Sequence, residues 1–190
     1  MAEAATTRLP RTPPQILGPF YPFMHTPTAG GDLTGGGKAK GTILYLSGRV
    51  LAENGQPVAG ARVEIWQANA AGRYAHPNDD NVAAALDERF HGFAVTTTDA
   101  EGRYAFKTVR PAAYPAAPGR WRPAHIHFSV TGRYEQLVTQ MYFRGEQWNE
   151  TDPWLNSAAR KDLLVTDPVP AEGKEKGALA LSFDIVLTRG

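Results

Sequence analysis

Short apolar runs with alternating polar residues recur from Thr42 to Leu187, each closed within a few residues by a turn signal. Period-two alternation marks strands with one face buried, and runs this short leave no room for long helices. The stretches at 42–50 and 61–68 flank Asn54-Gly55, whose tolerance of positive φ suits tight hairpins. Those at 95–98 and 103–109 flank a second hairpin-like turn, Asp99-Ala100-Glu101-Gly102. Strands are expected again at 125–131 and 136–143. The last, 179–187, puts Leu179, Leu181, Phe183, Ile185 and Leu187 on one face. Only 156–164 reads as helix. The pattern predicts one all-β domain over 42–190, an antiparallel β-sandwich with long active-site loops and at most one or two short helices.

Residues 1–41 read as an extended arm. Pro10, Pro13, Pro14, Pro19, Pro22 and Pro27 exclude helix, and Gly35-Gly36-Gly37 is expected to end the segment flexibly. An arm holding Ile16, Leu17, Phe20, Tyr21 and Phe23 should lie across the domain or a neighbouring subunit. A homo-oligomer is the expectation.

Composition removes several function classes. The absence of cysteine excludes disulfide frameworks, thiolate metal sites and cysteine nucleophiles. A net charge of +1 argues against nucleic-acid or membrane-surface partners. No signal-like apolar run opens the chain, and none approaches the roughly 18 apolar residues of a membrane span. The cytoplasm is the default location.

Among five histidines, His125-Ile126-His127 carries the most information. In a strand both imidazoles point to one face, while Ile126, Phe128 and Val130 take the other as core. Spacing alone allows a polar face in solvent as readily as a metal site, but the bulky lead-in Trp121-Arg122-Pro123-Ala124 is untypical of a solvated edge. No histidine is followed two places later by Asp or Glu, and no His-Glu-x-x-His is present. Completing a metal shell would therefore fall to ordinary carboxylates or tyrosine phenolates. Tyr74 and Tyr114 stand in turn-rich contexts, Gly72-Arg73-Tyr74-Ala75-His76 and Pro111-Ala112-Ala113-Tyr114-Pro115, where composition alone favours a loop anchor over a ligand.

Five segments in order, Val63-Glu64-Ile65-Trp66-Gln67-Ala68-Asn69, Gly72-Arg73-Tyr74, Ala113-Tyr114-Pro115, Trp121 through Phe128 and Thr139-Gln140-Met141-Tyr142-Phe143, resemble the intradiol ring-cleavage dioxygenases. The likeness runs from about Gly18 through Leu187. It is greater to the protocatechuate 3,4-dioxygenase β-type chain than to the longer catechol 1,2-dioxygenases, which begin with a helical dimerisation region.

The resemblance implies a mononuclear non-haem iron(III) held by Tyr74, Tyr114, His125 and His127, with hydroxide as fifth ligand. Tyr114 would be the axial tyrosine, opposite His127, that leaves with a proton when a catechol dianion enters. Arg122 would stabilise negative charge on the ring, and Gln140 would border the oxygen pocket. The implied reaction joins a catechol-type diol and O2 into a cis,cis-muconate-type diacid. Elementary energetics agree with such a site. Ionising a tyrosine at pH 7 costs about 4 kcal/mol, which a trivalent cation can supply. Iron(III), two phenolates and one hydroxide sum to zero charge, as a buried pocket requires.

The remaining marked residues take supporting places in this reading. Tyr21, in the Gly-Pro segment, is expected to touch substrate. Ala116 stands where protocatechuate enzymes commonly carry a large aromatic and should enlarge the pocket, which favours catechol, hydroxyquinol or another substituted diol. Trp66 is expected to support the pocket, His76 to lie near it, and His25 and His91 not to be ligands. Two other classes stay open: a β-sandwich binding or carrier module without metal, and a zinc-dependent hydrolase using the His pair and a carboxylate.

Overall fold

In the computed structural model, which describes residues 8–189, the alternating segments form two five-stranded sheets packed face to face. In chain order the elements are β1 (Ile43–Ala52), β2 (Arg62–Trp66), β3 (Phe93–Thr97), β4 (Arg103–Val109), β5 (Tyr114–Ala117) and β6 (Arg120–Arg122). They continue with β7 (His125–Thr131), β8 (Gln136–Phe143), α1 (Pro153–Ser157), β9 (Val165–Thr166), β10 (Val169–Pro170), β11 (Leu179–Ser182) and β12 (Ile185–Leu187). The first sheet centres on β1, with β4 antiparallel on one side and β11 then β12 parallel on the other. The second runs β3-β2-β7-β8-β9, antiparallel except where β8 meets β9. Side-chain alternation is the same for either strand direction, so the parallel joins left no mark in the pattern.

Between the sheets lie Leu44, Leu46 and Val50 of β1, Phe106 of β4, and Ile126, Phe128 and Val130 of β7. Leu181, Phe183, Ile185 and Leu187 close this core from the last strands, with the Phe128 and Phe183 rings 5.1 Å apart.

Several expectations need correction. Asn54-Gly55 reverses β1 locally, through Ala52 N–H to Gln56 O at 2.9 Å, but β2 then joins the opposite sheet. Asp99–Gly102 likewise links strands of different sheets. Turn residues fix a reversal, not the sheet each strand enters. The helix begins earlier than expected, because Asp152 caps it by accepting from Leu155 N at 2.8 Å and Pro153 opens it. It ends at Ser157, and Lys161–Leu163 is a separate 3₁₀ turn. Gly35, Gly36 and Gly37 form a turn closed by Gly37 N–H on Thr34 Oγ1 at 2.8 Å.

The last strand is interrupted at Phe183, whose carbonyl crosses over Gly48. A Cβ on Gly48 would lie 2.0 Å from that oxygen, which also accepts the Tyr104 hydroxyl at 2.5 Å. Gly48→Ala is expected to cost about 1–3 kcal/mol, read as a lower urea midpoint at unchanged slope.

Residues 8–41 cross the domain. Thr12 exchanges hydrogen bonds with Val186 on β12, and Gln15 N–H donates to Val138 O on β8. The chain then crosses the outer face of the second sheet, and Thr28 N–H reaches Phe93 O at its far edge. Leu17, Phe20 and Tyr21 pack there against Trp66, Tyr74, Phe93 and Tyr114. This covering makes the outer face of β7 a buried one.

Candidate active site

Alternation along β7 sends Ile126, Phe128 and Val130 into the core and His125 and His127 outward, beneath the arm. Register places His127 between Trp66 of β2 and Gln140 of β8, and His125 beside Tyr142. Trp66 stacks on the His127 ring at 4.8 Å and 12°. Two loops bring the phenols to the same place. Tyr74 follows β2, its backbone N–H held by Asp79 Oδ2 at 2.6 Å. Tyr114 opens β5 and pairs across the ribbon with Arg122 of β6, so it is a strand residue rather than a loop anchor.

The four rings converge. Centroid separations are 5.5 Å for Tyr74–Tyr114, 6.3 Å for Tyr74–His127, 5.7 Å for Tyr114–His125 and 4.8 Å for His125–His127. All four residues are buried. His125 Nδ1 lies 2.7 Å from Pro123 O, which assigns the proton to Nδ1 and leaves a lone pair on Nε2. Nε2 of His125 stands 3.1 Å from Nε2 of His127. Metal–imidazole bonds of about 2 Å at right angles place two nitrogens about 3 Å apart. The Tyr74 hydroxyl and His127 Nδ1 are buried without hydrogen-bond partners. An unpartnered phenol beside two facing imidazole nitrogens fits a metal ion. Among the described residues no group of three or more His, Asp or Glu is placed to hold one. The donors at hand are therefore two nitrogens and two phenol oxygens, a hard mixed set suited to ferric iron and ill suited to a His–carboxylate zinc site.

Electrostatics point the same way. Burial, reinforced by the Arg122 charge, holds both imidazoles well below their ordinary pKa and keeps them neutral. Burial pushes the Tyr74 phenol well above 10, with Tyr114 adding to the rise. Tyr114 is raised by burial too, against the opposing pull of Arg122. Both phenols keep their protons unless a cation replaces them.

Arg122 borders the cluster, 3% exposed. Its Nε donates to Asp152 Oδ2 at 2.6 Å, and its Nη2 donates to Gln140 Oε1 at 2.7 Å and Tyr142 Oη at 3.2 Å. Trp154 lies against its guanidinium at 4.3 Å. Gln140 Nε2 in turn donates to Ile16 O at 2.8 Å. Both polar ends of Gln140 are thus engaged, and it ties Arg122 to the arm.

Tyr21 needs a correction: it packs on the side of Trp66, centroids 4.9 Å apart, with its hydroxyl on Glu64 Oε1 at 3.2 Å. One ring separates it from His127. Ala116 does line a cleft together with Arg122. His76 is half-buried against Phe20, and His25 and His91 are exposed; all three border a cleft that Tyr74 also lines.

Sequence reasoning missed Asp152, and it marked the segments of Tyr142 and Gly18 without assigning either residue a role. Asp152-Pro153 carries a helix-start signature that could have flagged the first. Gly18, at φ +77°, brings the arm so close that an added Cβ would sit 3.1 Å from His127 Cε1. Gly18→Ala is expected to cost about 1–2 kcal/mol from the left-handed backbone alone. If His127 holds a metal ion, the same change should lower the metal content of the purified protein, whereas unchanged content would show that the approach is slack.

The β-sandwich that gathers these two tyrosines and two histidines falls in a class of dioxygenases, the dioxygenase family profile matching residues 16–189. More particularly, the chain belongs to the intradiol ring-cleavage dioxygenases. It is 46% identical over 157 residues to a protocatechuate 3,4-dioxygenase beta chain of Burkholderia cepacia, covering 80% of this chain and 66% of that protein. A 6-chlorohydroxyquinol 1,2-dioxygenase of Cupriavidus pinatubonensis is 34% identical over 195 residues, covering 93% and 64%. The crystal structure of a catechol 1,2-dioxygenase of Acinetobacter radioresistens superposes with a TM-score of 0.77 at 26% identity, covering 96% of this chain and 64% of that one. The chain thus spans about two thirds of the length of these relatives.

Proposed function

We propose that this protein is an iron(III)-dependent intradiol dioxygenase. It opens a catechol-type 1,2-diol between its hydroxyl-bearing carbons with O2 and yields a cis,cis-muconate-type diacid. The observation that carries the reading is the buried meeting of two imidazole Nε2 atoms 3.1 Å apart with two phenols, one of them unpartnered. Tyr74, Tyr114, His125 and His127 would hold the metal. Ferric iron would supply a Lewis-acidic centre that cancels the phenolate charges and activates the bound diol toward oxygen.

The chain's own groups divide the remaining work. Tyr114 Oη, as phenolate, takes one proton from the entering diol, and burial favours its protonated form once it has done so. Arg122 brings a fixed positive charge to the cleft where charge develops on the ring. Asp152, Gln140 and Tyr142 hold that charge in place, so little reorganisation is needed when the ring becomes anionic. Leu17, Phe20 and Trp66 keep water from the donors.

The test is direct. Protein expressed with iron should be red-brown, consume O2 with catechol and form a product absorbing as a muconate. Colourless, iron-free protein after such expression, or a stoichiometric zinc content with hydrolytic activity, would overturn the reading.

A further inference from the structure

Beside Arg122 the surface opens into a cleft of about 340 Å³, bounded by Ala116, Arg120, Trp121, Trp148 and Trp154. Three of the chain's four tryptophans stand on it. Trp121 and Trp148 lie parallel at 5.8 Å and 9°, and Trp121 is 42% exposed. Aromatic surface left in solvent at this density marks a place where something binds.

Charge narrows what that is. No Asp or Glu lines the cleft, while two guanidiniums do. Arg122 is already paired with Asp152 and held beside the ring position. Arg120 forms no ion pair among the described residues, in contrast to Arg103, Arg144 and Arg160 elsewhere on the protein. On β6, Arg120 and Arg122 are two residues apart and share a face, which separates them by about 6.6 Å along the strand. A group on the ring at Arg122 reaches Arg120 only through an arm. A cleft of this size also exceeds what a bare diol ring fills, since ligand clefts start at about 300 Å³ for drug-sized molecules.

Resting on the function proposed above, we infer that this cleft receives the side arm of an aromatic 1,2-diol whose carboxylate sits two or three carbons from the ring. Arg120 pairs with the carboxylate, and Trp148 lies along the arm. Arg120 and Trp148 are then the specificity-determining residues.

Indole emission tests the cleft without iron. In metal-free protein, 3-phenylpropionate should quench tryptophan fluorescence and bind at least about tenfold more tightly than neutral 3-phenylpropanamide. Arg120→Gln should erase that difference, and Trp148→Ala should weaken both ligands. In the iron-loaded enzyme, kcat/KM for 3-(3,4-dihydroxyphenyl)propionate should exceed that for its methyl ester by a similar factor, again lost in Arg120→Gln. Equal binding of acid and amide, or an acid-to-ester ratio unmoved by Arg120→Gln, overturns the inference. A protein that stays colourless with iron and cleaves no diol overturns the functional reading instead, and the titration still decides whether the cleft takes an aryl carboxylate.

Discussion

Tyr74→Phe is expected to give a folded, colourless protein that neither retains iron nor cleaves a diol. The reason lies in one buried oxygen. The Tyr74 hydroxyl is buried with no partner of good hydrogen-bond geometry and only the Tyr114 phenol beside it, and a buried polar group left poorly satisfied costs about 1–3 kcal/mol. Removing it should leave metal-free protein at least as stable as before, and more stable by up to that amount. A loop anchor would behave in the opposite way, losing stability and keeping any colour. Thermal unfolding of the metal-free forms, iron content and visible absorbance separate the two. Retained colour would remove Tyr74 from the metal shell.

Arg122→Ala carries the second large effect, on two observables at once. Asp152 is fully buried and its charge is met by Arg122 at 2.6 Å. Removing the guanidinium strands that carboxylate, an expected loss of about 3–5 kcal/mol in unfolding free energy. Turnover should fall by about 10²-fold or more from the missing charge at the ring, with the iron colour kept. The double variant Arg122→Met with Asp152→Asn distinguishes these contributions. It removes both charges, keeps an oxygen to cap Leu155, and should recover most of the stability. Turnover should stay low. A double variant as active as the parent would make Arg122 a structural residue only.

The His-x-His pair was legible because strand periodicity is local: two residues apart on β7 means one face, whatever covers it. What covers it was harder to read. The arm's prolines and aromatics announced an extended apolar segment, but not its path along the edges of β12 and β8 and over His127. Turn-rich contexts marked the two phenols, but only the resemblance joined them to the histidines, since neither Tyr74 nor Tyr114 has local spacing to that pair. The network holding Arg122 joins residues 18, 20 and 30 positions away, and Gln140 meets Ile16 across 124. No window along the chain contains such pairs. Turn chemistry misled for a related reason. Asn54-Gly55 and Asp99–Gly102 made the reversals they promised, while sheet membership was decided by which layer needed each apolar face. Tyr21 shows the limit of motif reading, because its neighbour Phe20, not Tyr21, meets Tyr74, with ring centroids 4.5 Å apart.

The arm's course bears on how the protein is made. Its closing contacts pair Thr12 with Val186 and Pro13 with Thr139, 174 and 126 positions apart, so the arm waits for strands made much later before it can settle. Contacts so distant in sequence form slowly. During that interval the imidazoles and phenols of a half-finished chain lie open to whatever cation the surroundings offer. Fidelity of metal choice then becomes a matter of timing in biosynthesis as well as of donor chemistry, and protein made in iron-poor medium should trap the wrong ion more often than finished protein soaked in the same salts.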